Sequence, residues 1–213
     1  KKITKVNPRL LTHTNKIFSL INDYYMMVEA SLIPIPTIIE KKCDIDEGLI
    51  TYIFEYAGES ILDIVESYNI KKDFNSKKVI LKIFEIIKKA QESKIFFDPH
   101  PKNFVIKNEV LTYVDFTPPW TSPYFRLRKS LANPEENVIL DNFFNCMHWK
   151  ELGFHIVADL LKIDKKNKDN LPYLYEILLE KDMVNGDFDS FYFRAKEIIN
   201  RENLREKNNI FLL

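Results

Sequence analysis

The sequence predicts an α+β fold, with a small sheet lobe over residues 1–56 and a mostly helical lobe over residues 57–213. Three observations carry this expectation. Strand-like apolar runs are confined to the first quarter of the chain and to one short patch between residues 95 and 116. Apolar residues at three- and four-residue steps dominate the rest. A chain of 213 residues, 46% hydrophobic and 29% charged, is large enough for a small lobe joined to a larger one.

In order along the chain, Lys2–Val6 alternates weakly and reads as a strand that Asn7-Pro8 breaks. From Leu11 to Ala30, Ile17, Leu20, Ile21, Tyr24, Tyr25 and Val28 mark one face of an amphipathic helix. Ile33-Pro34-Ile35-Pro36 forbids its continuation. Thr37–Lys41 and Leu49–Glu55 read as strands around the acidic turn Asp44–Gly48. Tyr56–Glu59 is a short connection, followed by a helix over 60–67 and a longer one over 76–92.

Ile95-Phe96-Phe97 reads as a short apolar strand, and Asp98–Asn103 as a polar loop with two prolines. Phe104–Ile106 and Val110–Phe116 form a hairpin turning at Lys107-Asn108-Glu109. Helices are expected over 133–145, 149–161, 172–181 and 188–200. Arg126–Lys129 reads as a solvated basic turn.

Composition narrows the function. Lys plus Arg and Asp plus Glu both number 31, and this balance lacks the basic excess of a nucleic-acid binder. Two distant cysteines, Cys43 and Cys146, read as free thiols of a reducing cytoplasm. No apolar run reaches membrane-spanning length. Hydrolase and zinc-site motifs are missing, and His148 and His155, seven apart, are too few ligands for zinc.

The chemistry-bearing residues lie on the Asp98–Asn103 loop and at the end of the hairpin. Folding the hairpin back brings Asn103 and Asp115 to one end of the sheet, with Asp98 on the loop beside them. One of these side chains can accept a hydroxyl proton, and two can hold Mg²⁺, which prefers oxygen ligands and phosphate. His100 reads as a loop residue bonded to backbone, and Lys102 as solvent-facing. Trp120, Tyr124 and Phe125 read as packing residues.

The pattern Asp98-x-His100-x-x-Asn103, followed by an apolar residue and Asp115-Phe116, resembles the aminoglycoside phosphotransferase and choline kinase branch of the kinase superfamily. Lipopolysaccharide-core kinases look similar. The resemblance covers residues 10–116 and, loosely, the helix over 149–161. It implies a protein-kinase-like fold with a truncated small sheet lobe. It also implies ATP and Mg²⁺ as cofactors and a small-molecule hydroxyl as acceptor. Carried over, Asp98 is the base, Asn103 and Asp115 are the metal ligands, and Glu55, Tyr56 and Ala57 belong to an adenine-binding hinge. The lysine that holds phosphates falls on Lys5, with Lys2 an equal rival; its acidic partner falls on Asp23, with Glu29 the rival.

Departures accompany the resemblance. Phe96-Phe97 precedes the loop where such families carry His-Gly or a similar pair, and Thr117 follows Asp115-Phe116. Only 4 glycines occur, so the chain holds no glycine-rich phosphate loop. Because it opens on Lys1, a partial chain is expected, and the first strands and glycine loop of the small lobe either lie upstream of Lys1 or do not exist. The alternative is a catalytically inactive, pseudokinase-like binding module; a third option is nucleotidyl transfer on the same fold.

Overall fold

The computed structural model describes residues 1–62, 74–163 and 169–207. A three-stranded antiparallel sheet is formed by β1 (Lys2–Lys5), β2 (Ile38–Asp44) and β3 (Leu49–Phe54), in the order β1-β3-β2. Central strand β3 buries Ile50 and Tyr52 and pairs with both neighbours, placing Lys2 opposite Tyr52. Gly48, at φ +63°, closes the β2–β3 turn, where Asp44 accepts from the Glu47 N–H.

Helix α1 (Thr14–Ala30) lies against this sheet through Ile17, Leu20, Ile21, Tyr24 and Val28, the stripe its periodicity predicts. A 3₁₀ turn over Pro8–His13 replaces the start of the helix expected from Leu11, with Asn7 capping it. Leu32 at φ +59° and the Ile-Pro repeat then turn the chain back toward β2.

The second sheet has three strands, and one of them is not the run expected. Its order is β4 (Glu59–Ser60), β5 (Phe104–Lys107) and β6 (Val110–Tyr113). Ile95-Phe96-Phe97 is no strand: the Phe97 N–H donates to the Met147 carbonyl, and its ring packs on Tyr113 and Phe104. The run is apolar because it is buried by rings. The β5–β6 hairpin turns through Asn108 and Glu109, both at positive φ, as a two-residue connection requires.

Helix α2 (Phe74–Glu92) leads into this region, and the short helix expected over 60–67 lies largely outside the described residues. Arg126–Lys129 belongs not to a turn but to helix α3 (Ser122–Leu131), whose Thr121 cap accepts from Tyr124 N–H. The basic cluster hid an apolar stripe of Tyr124, Phe125 and Leu127, all buried. Trp120 packs on Phe125 and Phe143, as a packing residue should. Helix α4 (Pro134–Cys146) starts at an Asn133–Glu136 capping box.

Helix α5 (Leu152–Ile163) is the centre of the helical part. It contacts α2, α6 (Leu171–Glu180), α7 (Phe188–Lys207) and the turn at Pro101–Asn103. Among the described residues no helix is long and apolar enough to cross a membrane.

Gly58, at φ +129°, sits where any Cβ would overlap the Ile106 backbone carbonyl. Gly58→Ala should therefore cost about 2 kcal/mol or more of stability. Gly186→Ala, where φ is +90° but the nearest atom is an ordinary van der Waals neighbour, should cost less. Thermal unfolding of both variants checks the ranking, and equal losses would refute it.

Candidate active site

The site begins with two segments that local chemistry fixes. After Phe97, Asp98 turns the chain by accepting the His100 N–H on Oδ1 at 3.1 Å. Pro99 and Pro101 hold the loop extended and then open a 3₁₀ turn over Pro101–Asn103. His100 accepts the Lys102 N–H on Nδ1, which is the backbone-bonding role expected of it, while Lys102 faces solvent. Asn103 closes the loop, its Nδ2 donating to the Asp98 carbonyl at 3.3 Å. With the amide nitrogen spent inward, its Oδ1 is the end left to accept or ligate.

The second segment is pinned to the first by the Val114 N–H, which donates to the Asn103 carbonyl. This brings Asp115 beside the loop. Phe116 anchors the position, its ring lying 5.0 Å from Tyr25, 5.6 Å from Tyr113 and 6.0 Å from Phe54. Asp98, Asn103 and Asp115 are thus assembled in one place, the first two buried and the third nearly so.

Lys2 reaches this group from β1, its Nζ donating to Asp115 Oδ1. Lys5 does not. Strand alternation puts Lys2 and Thr4 on one face and Ile3 and Lys5 on the other, and Lys5 is exposed. The choice between the two lysines therefore falls on Lys2. The two helix acids, Asp23 and Glu29, both lie on the exposed side of α1. A polar α1 residue bonded to the sheet is Asn22, whose Oδ1 accepts from Lys41 and Tyr52.

In the connection after β3, Glu55 and Tyr56 are exposed and Ala57 is half-buried. The Glu55 N–H is already given to the Thr37 carbonyl, and the Tyr56 carbonyl accepts from Lys107 Nζ.

Electrostatics explains why the lysine is there. Burial pushes the Asp115 carboxyl above its ordinary value, Lys2 pulls it back, and the negative Asp98 adds to the rise. Burial likewise pushes the Tyr24 and Tyr113 hydroxyls well up, and the neutral Tyr24 hydroxyl donates to the Phe96 carbonyl.

One pair escaped the sequence reading. His155 and Asp159 on α5 are fully buried, and their donor atoms and that of Asp98 all lie within 4.8 Å of one another. The available signal was a His and an Asp at i and i+4 in an otherwise apolar helix. The His148–His155 spacing drew attention away from it. His148 lies outside that helix, edge-on to Phe96. Its imidazole is held below its usual value by burial, with Lys150 adding to the effect.

Comparison with protein-family models finds no match to this chain, and comparison with curated proteins finds none either. Site geometry alone therefore carries the functional reading.

The Asp115 shift has a definite sign. Its folded-state value is raised, so between the ordinary carboxyl range and that higher value the folded chain binds more protons than the unfolded one. Stability falls as pH rises through that window. Lys2 offsets the loss. Lys2→Ala should destabilise the protein more at about pH 7 than at a pH below the ordinary carboxyl range, where Asp115 is protonated with or without a partner. Urea denaturation at both pH values measures this, and an equal loss would uncouple Lys2 from the Asp115 charge.

Proposed function

We propose that the protein is an ATP- and Mg²⁺-dependent phosphotransferase that moves the γ-phosphate to a hydroxyl of a small molecule. The observation that carries this reading is the convergence of Lys2 from the small sheet on Asp115, beside the buried Asp98–Asn103 loop. A cation, an acidic side chain and an amide oxygen from three separate segments suit a site that grips a polyphosphate next to a base. The sheet order and the hairpin after the loop agree with the kinase-like resemblance of residues 10–116.

On this reading each residue has one task. Lys2 leaves Asp115 for the phosphates of bound nucleotide. Asp115 Oδ1 and Asn103 Oδ1 are the oxygen donors that would hold Mg²⁺, a donor set that fits a hard cation. Bound there, Mg²⁺ would neutralise charge on the phosphate oxygens. Asp98 orients the acceptor hydroxyl and takes its proton. Backbone groups of Tyr56–Gly58 would meet adenine. The protein's contribution is mainly positioning and charge neutralisation.

A catalytically inactive binding module of the same fold is the second reading. The exposed Asp23 and Glu29 favour it, because neither is placed to hold Lys2 in a phosphate-ready position.

Asp98→Asn should abolish ATP-dependent phosphorylation in an acceptor screen by small-molecule hydroxyl class, with ATP binding unchanged. Asp115→Ala should lose the Mg²⁺-dependent part of ATP binding in calorimetric titration. Turnover surviving in Asp98→Asn would remove it from the base role. Nucleotide binding without turnover in the wild type would favour the binding module.

A further inference from the structure

The buried pair His155–Asp159 lies against the one loop whose geometry matters most. Helix α5 packs on the turn at Pro101–Asn103, and the donor atoms of Asp98, His155 and Asp159 all lie within 4.8 Å of one another. Exposure is 8% at Asp98, 1% at His155 and 0% at Asp159, so water contributes little screening. Two carboxylates this close and this dry repel strongly unless a positive group lies with them.

The bonding of His155 identifies that group. Its Nδ1 lies 3.2 Å from the Cys146 carbonyl oxygen, at the end of α4. A carbonyl can only accept, so Nδ1 carries a proton. On the far side of the ring, Nε2 lies 3.6 Å from Asp159 Oδ2. If Nε2 were bare, its lone pair would point at a carboxylate inside the core, adding repulsion to repulsion. If Nε2 also carries a proton, the ring is an imidazolium and the contact is an ion pair. Asp159 on its own helix, Asp98 on the loop and the Cys146 carbonyl of α4 all lie close to the ring.

We propose that His155 is held as an imidazolium between Asp159 and Asp98, and that it is the positioning residue that fixes the Asp98 carboxylate under the site. The role given to Asp98 rests on the phosphotransferase reading; the charge state of His155 does not. Asp159 sets the ring from one side and Cys146 from the other, so the ring cannot swing away from the loop. Asp98, further held by the His100 N–H, then presents its carboxylate in one orientation. The arrangement comes from a helix distant in sequence, which stiffens a loop that local turns alone would leave free to tilt.

The test uses the whole protein labelled with ¹⁵N in its 4 histidines, with the His155 ring assigned from its loss in His155→Gln. Both ring nitrogens of His155 should be protonated at neutral pH, and its ring signals should move in Asp98→Asn. A bare Nε2 would overturn the proposal; it is the state that a metal ion bound by the trio would need. Ring signals unmoved by Asp98→Asn would also overturn it, because the contact with the loop would be void.

A kinetic arm separates positioning from folding: His155→Gln should lower turnover roughly 10–100-fold while the ATP KM holds. A parallel rise in KM would make the role structural only. Ring signals as expected in a protein with no turnover would leave the charge trio standing and sink the phosphotransferase reading instead. Turnover with a neutral ring would do the reverse.

Discussion

The structure depends on how negative charge is kept in a largely apolar interior. Asp98, Asp115 and Asp159 are gathered where the two sheets and helix α5 meet, among Tyr24, Phe97, Tyr113 and Phe116. Each carboxylate removed from water loses solvation that a nearby cation or donor must replace. Lys2 does this for Asp115, the His100 N–H for Asp98, and His155 is the basic group beside Asp159. These partners come from the first strand, the loop itself and a helix more than fifty residues further along the chain. Long-range packing and local charge balance are therefore one problem here.

Rings solve the packing half of it. Phe116 touches α1, β3 and β6 together, and Phe97 stacks over Tyr113 at 4.1 Å. The pair Phe96-Phe97, a departure from the sequence pattern of the resembled families, has a structural account in this. Phe97 fills the space beneath the hairpin, and Phe96 stacks on Phe144 at 4.1 Å and meets His148 edge-on. These large side chains wedge the loop against α4, adding packing to the local turns that hold it.

Legibility in the sequence followed the range of the interaction. Asp98, Asn103 and Asp115 could be grouped because a loop, a hairpin and a dozen residues fix their relation locally. The hairpin turn was legible at Asn108, a residue tolerant of positive φ. Lys2 and Lys5 could not be separated, since four residues of weak alternation do not say which face of β1 turns inward. Only the pairing of Lys2 with Tyr52 on β3 decides it. Helix α3 was missed because Arg126, Arg128 and Lys129 masked the spacing of Tyr124, Phe125 and Leu127. Its positive ends find partners outside the segment, such as Asp141 on α4 for Lys129. The helix acids Asp23 and Glu29 were placed by analogy, and the register of α1 turns both to solvent.

Glycine poverty gives these observations a common cause. A backbone that cradles phosphate needs several glycines close together, because only they let amide groups converge without side-chain clash. With 4 glycines in 213 residues, and two of them absorbing positive φ at the turn before β3 (Gly48) and against β5 (Gly58), this chain has none to spare for such a cradle. Any hold on a polyanion by these residues must come from side-chain charge. On the phosphotransferase reading Lys2 would supply that charge, and a lysine headgroup is a less directional clamp than a row of fixed amides. The demand for precision would then pass to the opposite wall of the site, where a proline-bounded turn, the His100 N–H and the buried α5 pair lie against Asp98. A site that grips loosely on one side can still orient a hydroxyl well, provided that the residue facing the hydroxyl does not move.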